Sequence, residues 1–404
     1  MRTIQLTVSS LAMSLLVVSG LTLNSQALAQ TQAMDENGSP LWQVDPFWPG
    51  PLPNNWGMQQ VTGIHVDHED IIWFLNRPNG AEGDEVFDHG DGPPRAMCCV
   101  PSPEIIAMDQ DGNVVHAWGN ADHHPNWPAS LQTVIATRDG HVWVGGLGPR
   151  DSILKFTREG EFVADFDHRS ADGQRPPEDN TAIEILDQKG RFQLDEEERE
   201  LYILSWKRVL VYDMDTFEFK RGWGGHGMAL EDITNDPISS YEWDGSPPPY
   251  EENFVPALHF IEISNDGLVY VGERGQNRIQ VFQKDGTWVD DFHVAAGTPS
   301  ERLGPEMCGG VGTRKELPAC GTMYKMAISR DADNSYLYVG DTANSQVWIV
   351  DRQTGETLGS FGGSGRYAGQ LHWINAISTD SDNNIYTGEV EHGKRIQKFV
   401  PVWQ

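Results

Sequence analysis

Side chains able to bind anions or to move protons recur at two corresponding points of a repeated sequence unit. At the start of one apolar strand, the units carry Thr62, Gln132, His259, Tyr324 and Asn375, and the corresponding residue of the third unit is unclear. At the end of the strand that follows, they carry Arg77, Trp206, Glu273 with Arg274, Asp341 and Glu389. Imidazole and phenol groups suit proton transfer, and guanidinium groups bind carboxylates bidentately. These residue types predict a polar site for an acidic small molecule.

The candidate roles divide between chemistry and binding. Our candidate catalytic residues are His259, Tyr324, Arg77 and Arg274. Gln132, Trp206 and Asn375 join the two arginines as candidate substrate-binding residues. A tyrosine transfers protons near neutral pH only when its pKa is lowered, which a positive neighbour such as Arg274 favours. A structural salt bridge with a nearby carboxylate is the alternative role for either arginine.

The strand that positions these groups recurs six times, as Ile71–Leu75, His141–Gly145, Glu200–Leu204, Leu268–Gly272, Leu337–Gly340 and Asn384–Gly388. A second, alternating strand follows each copy, as Glu104–Met108, Ser152–Phe156, Arg208–Tyr212, Arg278–Phe282, Gln346–Val350 and Arg395–Phe399. Tight turns and an outer strand that ends in an aromatic residue complete most units. Six units of four antiparallel strands predict an all-β fold, a six-bladed β-propeller.

The two ends of the chain are expected to close the ring. The sixth unit stops at Gln404 without an outer strand, and Leu41–Val44 has the pattern to supply it. The turns on one face are short, whereas the long connections all fall on the other face. Scaffolds place function on such loops, so we expect a small-molecule or peptide ligand on the loop-bearing face.

Composition excludes several classes of function. The chain has 404 residues, with 59 acidic against 29 basic side chains and a net charge of −30. That balance argues against nucleic-acid binding and against docking on anionic lipids, because both need a cationic face. No P-loop, dinucleotide fingerprint or Gly-x-Ser-x-Gly elbow is present.

The first 29 residues have the pattern of a signal peptide. Arg2 precedes the apolar run Leu11–Leu23, and Ala27–Ala29 fits the small-x-small cleavage rule. We expect export to the periplasm or medium, with residues 30–404 forming one monomeric domain without a membrane span. Four cysteines then become disulfide candidates. Cys308 and Cys320 are the favoured pair, while Cys98 and Cys99 either form a vicinal bridge or stay reduced.

The repeats resemble NHL repeats, as in Leu268–Arg274 followed by Asn277–Phe282. More closely, the region from about Leu41 to Val400 resembles bacterial exported proteins similar to peptidyl-α-hydroxyglycine α-amidating lyase. That resemblance implies a lyase that cleaves a carbinolamide into an amide and glyoxylate. It also implies a zinc ion held by three histidines, with a calcium ion lower in the channel.

The resemblance carries over residue by residue only in part. His259 matches one zinc ligand, but Gln132 and Asn375 stand where the other two histidines would be. Arg77 and Arg274 match the family's arginines, and Trp206 stands at its tyrosine. Amide oxygens suit calcium better than zinc. We therefore expect at most a divalent metal, calcium or zinc, with His259 as its candidate ligand.

Two alternatives remain beside an altered lyase-like site. The chain could be a non-catalytic propeller that binds a protein or glycan through an exposed aromatic patch around Trp127 and Trp223. It could also be a calcium-dependent hydrolase of the lactonase type.

Overall fold

The computed structural model describes residues 31–78, 98–147, 152–166, 168, 179–184, 190–236, 246, 250–255, 258–295 and 323–404. The predicted signal peptide and the favoured pair Cys308 and Cys320 lie outside these residues. Cys98 and Cys99 lie within them and form a vicinal disulfide.

Two small elements precede and flank the first blade. Strand β1 (Trp42–Asp45) pairs with the last strand of the chain, and the short strand β2 (Trp56–Gly57) pairs in parallel with β5 (Val100–Pro101). Among the described residues, one-turn 3-10 helices lie at Pro53–Asn55, Gly225–Gly227 and Leu230–Asp232. No helix within the described residues has the length and apolarity needed to cross a bilayer.

Six four-stranded antiparallel sheets form the blades of a β-propeller. The first is β3 (Gln60–Val66), β4 (Ile72–Arg77), β6 (Ile105–Met108) and β7 (Val114–Trp118). The second is β8 (Ser130–Ala136), β9 (His141–Leu147), β10 (Ser152–Thr157) and β11 (Phe162–Asp165). The third is β12 (Phe192–Asp195), β13 (Glu200–Ser205), β14 (Arg208–Asp213) and β15 (Phe219–Trp223).

The remaining three blades repeat this order. The fourth is β16 (Leu258–Ile263), β17 (Val269–Glu273), β18 (Arg278–Phe282) and β19 (Trp288–His293). The fifth is β20 (Met323–Ile328), β21 (Tyr336–Asp341), β22 (Gln346–Asp351) and β23 (Thr357–Gly362). The sixth is β24 (Ile374–Thr379), β25 (Ile385–Glu389) and β26 (Arg395–Pro401), completed by β1. The predicted fold class is confirmed.

The N-terminal strand closes the ring as predicted. Trp42 pairs with Pro401, and Asp45 pairs with Lys398. The Trp42 indole also packs edge-on against Tyr338, with 5.1 Å between ring centroids. Closure pairs the edge of the sixth blade, which would otherwise expose unpaired backbone groups.

One aromatic side chain per blade anchors the core. It stands at the same point of the second strand in every blade, as Trp73, Trp143, Tyr202, Tyr270, Tyr338 and Tyr386. All six are at most 1% exposed. The apolar clusters that contain them join neighbouring blades, so packing between blades fixes the angular position of each inner strand.

Candidate functional site

A β-bulge interrupts the start of five of the six inner strands. The register of each strand with its neighbour shifts by one residue, and the extra residues are Thr62, Gln132, His259, Tyr324 and Asn375. A bulge leaves its extra residue outside the ladder and redirects that side chain. The five positions singled out from the sequence therefore share one backbone device at one end of the central channel.

Tyr324 lies at the centre of a cluster formed by three of these blades. The His259 ring meets the Tyr324 ring edge to face, with 4.3 Å between centroids. The Arg274 guanidinium lies over the same ring, 4.9 Å from its centroid. The Asn375 side chain hydrogen-bonds the Tyr324 hydroxyl group. The structure thus brings four of the seven predicted site residues into contact, and the charge of a fifth, Arg77, acts on the same phenol.

Positive charge lowers the pKa of Tyr324. Burial raises the pKa of the phenol, but Arg191, Arg274, the Asn375 hydrogen bond and Arg77 together outweigh it. The phenolate is favoured because the positive charges of three arginines act on the Tyr324 hydroxyl group. This environment is what a tyrosine needs to accept a proton in catalysis.

Two of the arginines are held by the backbone of the next blade. Arg77 donates from Nε and Nη2 to the Leu131 carbonyl, at 3.2 and 2.9 Å. Arg191 donates from Nη1 to the Leu258 carbonyl at 2.5 Å. Leu131 and Leu258 each precede a bulged residue, so each arginine is tied to the start of a neighbouring inner strand. These bonds fix where each guanidinium group lies relative to Tyr324.

Arg191 is the site residue that the sequence reasoning missed. It directly precedes β12, the inner strand of the third blade, which was not located from the sequence. Gly190 allows this placement of Arg191. Gly190 has φ +64°, and a Cβ atom on it would lie 1.9 Å from the Gly146 nitrogen. The acidic turn after Asp195 could have located β12 in the sequence, because the strand that precedes this hairpin turn is the inner strand of its blade.

The carboxylates at the ends of the second strands are hydrogen-bonded within their own blades and neighbouring loops. Glu273 is fully buried within its blade and accepts hydrogen bonds from Arg278, Gln280 and the Val255 nitrogen. Glu389 has the same arrangement with Arg395, Gln397 and the His372 nitrogen. Asp341 accepts from Asn344 and Trp348. These carboxylates connect strands to loops. Their burial is tolerated because their hydrogen bonds are satisfied.

Two other predicted residues lie in different surroundings. Gln132 is buried at the channel wall, where its Oε1 atom has no hydrogen-bond partner among the described residues. The Trp206 indole donates to Asn235 Oδ1 at 3.2 Å, in a connection that follows the third blade. The role of Trp206 in substrate binding stays a prediction.

The donor set does not fit a tightly bound zinc ion. His259 is the one strong nitrogen ligand among the bulged residues, and Gln132 and Asn375 offer only amide groups. The guanidinium groups of Arg77, Arg191 and Arg274 surround the same point and repel a cation. The described residues contain no cluster of three metal-ligating side chains.

The expected aromatic docking patch is also wrong. Trp127 is 6% exposed and Trp223 is 2% exposed, and both pack in the cores between blades. The Trp127 indole donates to Glu104 at 2.9 Å. These two residues therefore offer no surface to a protein or glycan.

The sheet topology defines the class of the protein as a six-bladed β-propeller. No protein-family model matches the sequence, and no curated protein is recognisably similar to it. Among solved structures, it is similar to a protein of unknown function from Bacteroides thetaiotaomicron. That match has 13% identity and a TM-score of 0.50, and it covers 85% of this chain and 70% of the other.

Two further structures are similar at lower scores. One is virginiamycin B lyase from Staphylococcus aureus, with 12% identity, a TM-score of 0.43, and 85% and 84% of the two chains covered. The other is an auxiliary nutrient binding protein from Bacteroides thetaiotaomicron, with 13% identity, a TM-score of 0.46, and 85% and 68% covered. Likeness at this level concerns the fold alone. The resemblance to NHL repeats and to the amidating lyase stays a prediction.

Proposed function

We propose that this propeller is a lyase that acts on a small carboxylate-bearing, peptide-derived substrate at the channel mouth. The observation that carries the proposal is the placement of Arg77, Arg191 and Arg274 around Tyr324. Guanidinium groups hold a carboxylate in a defined orientation. A tyrosine whose pKa is lowered beside them supplies the proton acceptor that a lyase requires.

A carbinolamide is the substrate class that uses both features. The arginines bind its carboxylate, and the Tyr324 phenolate accepts the proton of its hydroxyl group. The carbinol C–O bond becomes a carbonyl group as the C–N bond breaks. The electron pair of the C–N bond moves to nitrogen. Tyr324 returns the proton to that nitrogen, which yields an amide and glyoxylate. His259 packs against the Tyr324 ring and positions it, and Asn375 orients the hydroxyl group.

The test is glyoxylate release from a peptidyl-α-hydroxyglycine by the purified protein. We expect turnover by the wild-type chain and a loss of at least about 100-fold in kcat for Tyr324→Phe, since general base catalysis contributes that much. Tyr367→Phe is the matched control, because Tyr367 is 81% exposed. Wild-type turnover in Tyr324→Phe would refute the assigned role, and no turnover by the wild type would refute the substrate class.

The arrangement favours this function over its alternatives. A calcium-dependent hydrolase would bind its ion largely through carboxylates at the channel mouth, whereas Glu273 and Glu389 are held by arginine and glutamine partners of their own blades. Non-catalytic binding loses its expected aromatic patch. We also propose that residues 1–29 direct export, which N-terminal sequencing of the protein from the periplasm or medium would test.

A further inference from the structure

The central channel continues below the mouth as a polar cavity of about 370 Å³. Arg191 and Gln193 line it from the third blade, Glu262 lines it from β16, and Lys325 lines it from β20. Gln193 Nε2 donates to Glu262 Oε2 at 2.7 Å across the boundary between the third and fourth blades.

The charge of this wall is opposite to that of the protein. Across the whole chain, 59 acidic residues face 29 basic ones. Among the described residues that line the cavity, the ratio reverses, with Arg138, Arg191, Lys325 and Arg330 against Glu262 alone. Cations so concentrated in a confined space attract small anions, because the low dielectric of the walls strengthens their field.

Of the four cations, Lys325 and Arg191 are best placed to hold an anion. Arg330 at the far end lies within the field of Asp67, Asp70 and Asp380, which neutralise it. Arg138 is exposed there. Lys325 follows Tyr324 on β20, lines the cavity and is only partly buried.

We propose that the channel holds a small inorganic oxyanion, bound by Lys325 together with Arg191. This site shares Arg191 with the proposed lyase site, but binding of the oxyanion does not require lyase activity.

The surroundings of Lys325 make the binding dependent on pH. Burial and Arg191 lower its pKa to about 8, while burial raises the pKa of Glu262 to about 7. The other charged or titratable groups that line the cavity are Arg138 on the second blade, Arg330 after β20, and His65 on β3. An anion favours the protonated forms of Lys325 and Glu262, so it binds with uptake of protons and more tightly at pH 6 than at pH 8.5.

The experiment titrates the full chain with inorganic sulfate by isothermal calorimetry at pH 6 and pH 8.5, because sulfate carries the same charge at both pH values. Sodium gluconate holds the ionic strength, since the gluconate ion is bulkier than sulfate. We expect one site per chain, with affinity weakened at least about tenfold in Lys325→Met because one charge-assisted contact is lost. Lys325→Arg should retain binding, which separates loss of charge from misfolding. The matched control is Lys398→Met, since Lys398 binds the Gln110 carbonyl away from the channel.

The outcomes separate this site from the lyase site. Binding that persists in Tyr324→Phe and disappears in Lys325→Met supports the channel site, whether or not the carbinolamide is cleaved. Binding that persists in Lys325→Met but disappears in Arg274→Lys would place the anion at the mouth and overturn the proposal. Absence of saturable binding at both pH values would overturn it as well.

Discussion

The rings of His259 and Tyr324 meet edge to face, with 4.3 Å between centroids and 74° between planes. Each residue is the extra residue of a β-bulge, one on β16 and the other on β20. Two neighbouring blades thus use the same backbone irregularity to bring an imidazole against a phenol. Bulges often redirect side chains at functional sites, and here they turn a repeated structural position into a candidate catalytic one.

The dependence of turnover on pH should report the Tyr324 phenol. Because its pKa lies below the usual value, kcat/KM should rise with pH to a plateau as the phenolate forms. Arg274→Lys keeps the charge but loses the planar contact over the ring and the bidentate geometry. We expect about a tenfold rise in KM and a shift of the inflection to higher pH.

Steady-state rates from pH 5 to 10 would check this expectation. Arg366→Lys serves as the control, since Arg366 is exposed. An inflection at the same pH in Arg274→Lys and in the wild type would show that Arg274 does not act on the proton acceptor.

His65 should make the fold sensitive to acid. Burial, and then Arg330, lower the pKa of His65 to about 4 from 6.5. Between these values the unfolded chain binds a proton that the native protein does not, so the free energy of unfolding falls as pH decreases from 6.5 to 4. His65→Gln removes this effect, and its amide can still donate to the Ala136 carbonyl that His65 Nε2 contacts at 3.1 Å.

Urea unfolding of the wild type and of His65→Gln at pH 7.5 and pH 4.5 would measure how much stability each protein loses on acidification. We expect the loss of stability on acidification to be about 1 to 3 kcal/mol smaller in His65→Gln. His68→Gln is the exposed control. Parallel losses in wild type and His65→Gln would contradict the assignment.

Glu273 should be essential for stability and not for proton transfer. Its carboxylate receives Arg278 Nε at 2.7 Å and Arg278 Nη2 at 3.0 Å, and both side chains are buried. Glu273→Gln leaves the Arg278 guanidinium without its closest counter-charge, which should lower the free energy of unfolding by about 3 kcal/mol. Thermal or urea unfolding would show it, with exposed Glu356→Gln as control. A stability equal to that of the wild type would show that Asp291, 3.6 Å from Arg278, suffices.

Removal of divalent metals should leave the lyase reaction intact. Arg77, Arg191 and Arg274 repel a cation at the point where the resemblance implies zinc. We expect kcat/KM to change less than about twofold after EDTA treatment, because arginines and not a metal ion would stabilise the charge that develops on the substrate. Elemental mass spectrometry of the same samples would verify that metal was removed. A loss of turnover that zinc restores would instead support the metal predicted with His259.

The blades and most of the candidate site could be read from the sequence, because a propeller repeats one local pattern. Period-two alternation and tight turns located five inner strands, and the residue at the start of each proved to be a bulged one. Closure by the strand at Trp42–Asp45 followed from the missing outer strand of the sixth blade.

What a side chain contacts was decided by tertiary structure, because contacts between blades join residues far apart in the chain. The sequence could not tell that Glu273 and Glu389 turn into their own blades while Arg191 turns towards Tyr324. Nor could it place Lys325 and Glu262 in the same cavity, since their strands lie in separate units. Local pattern determines a strand and its turn, whereas the charge around a buried group depends on every blade that faces it.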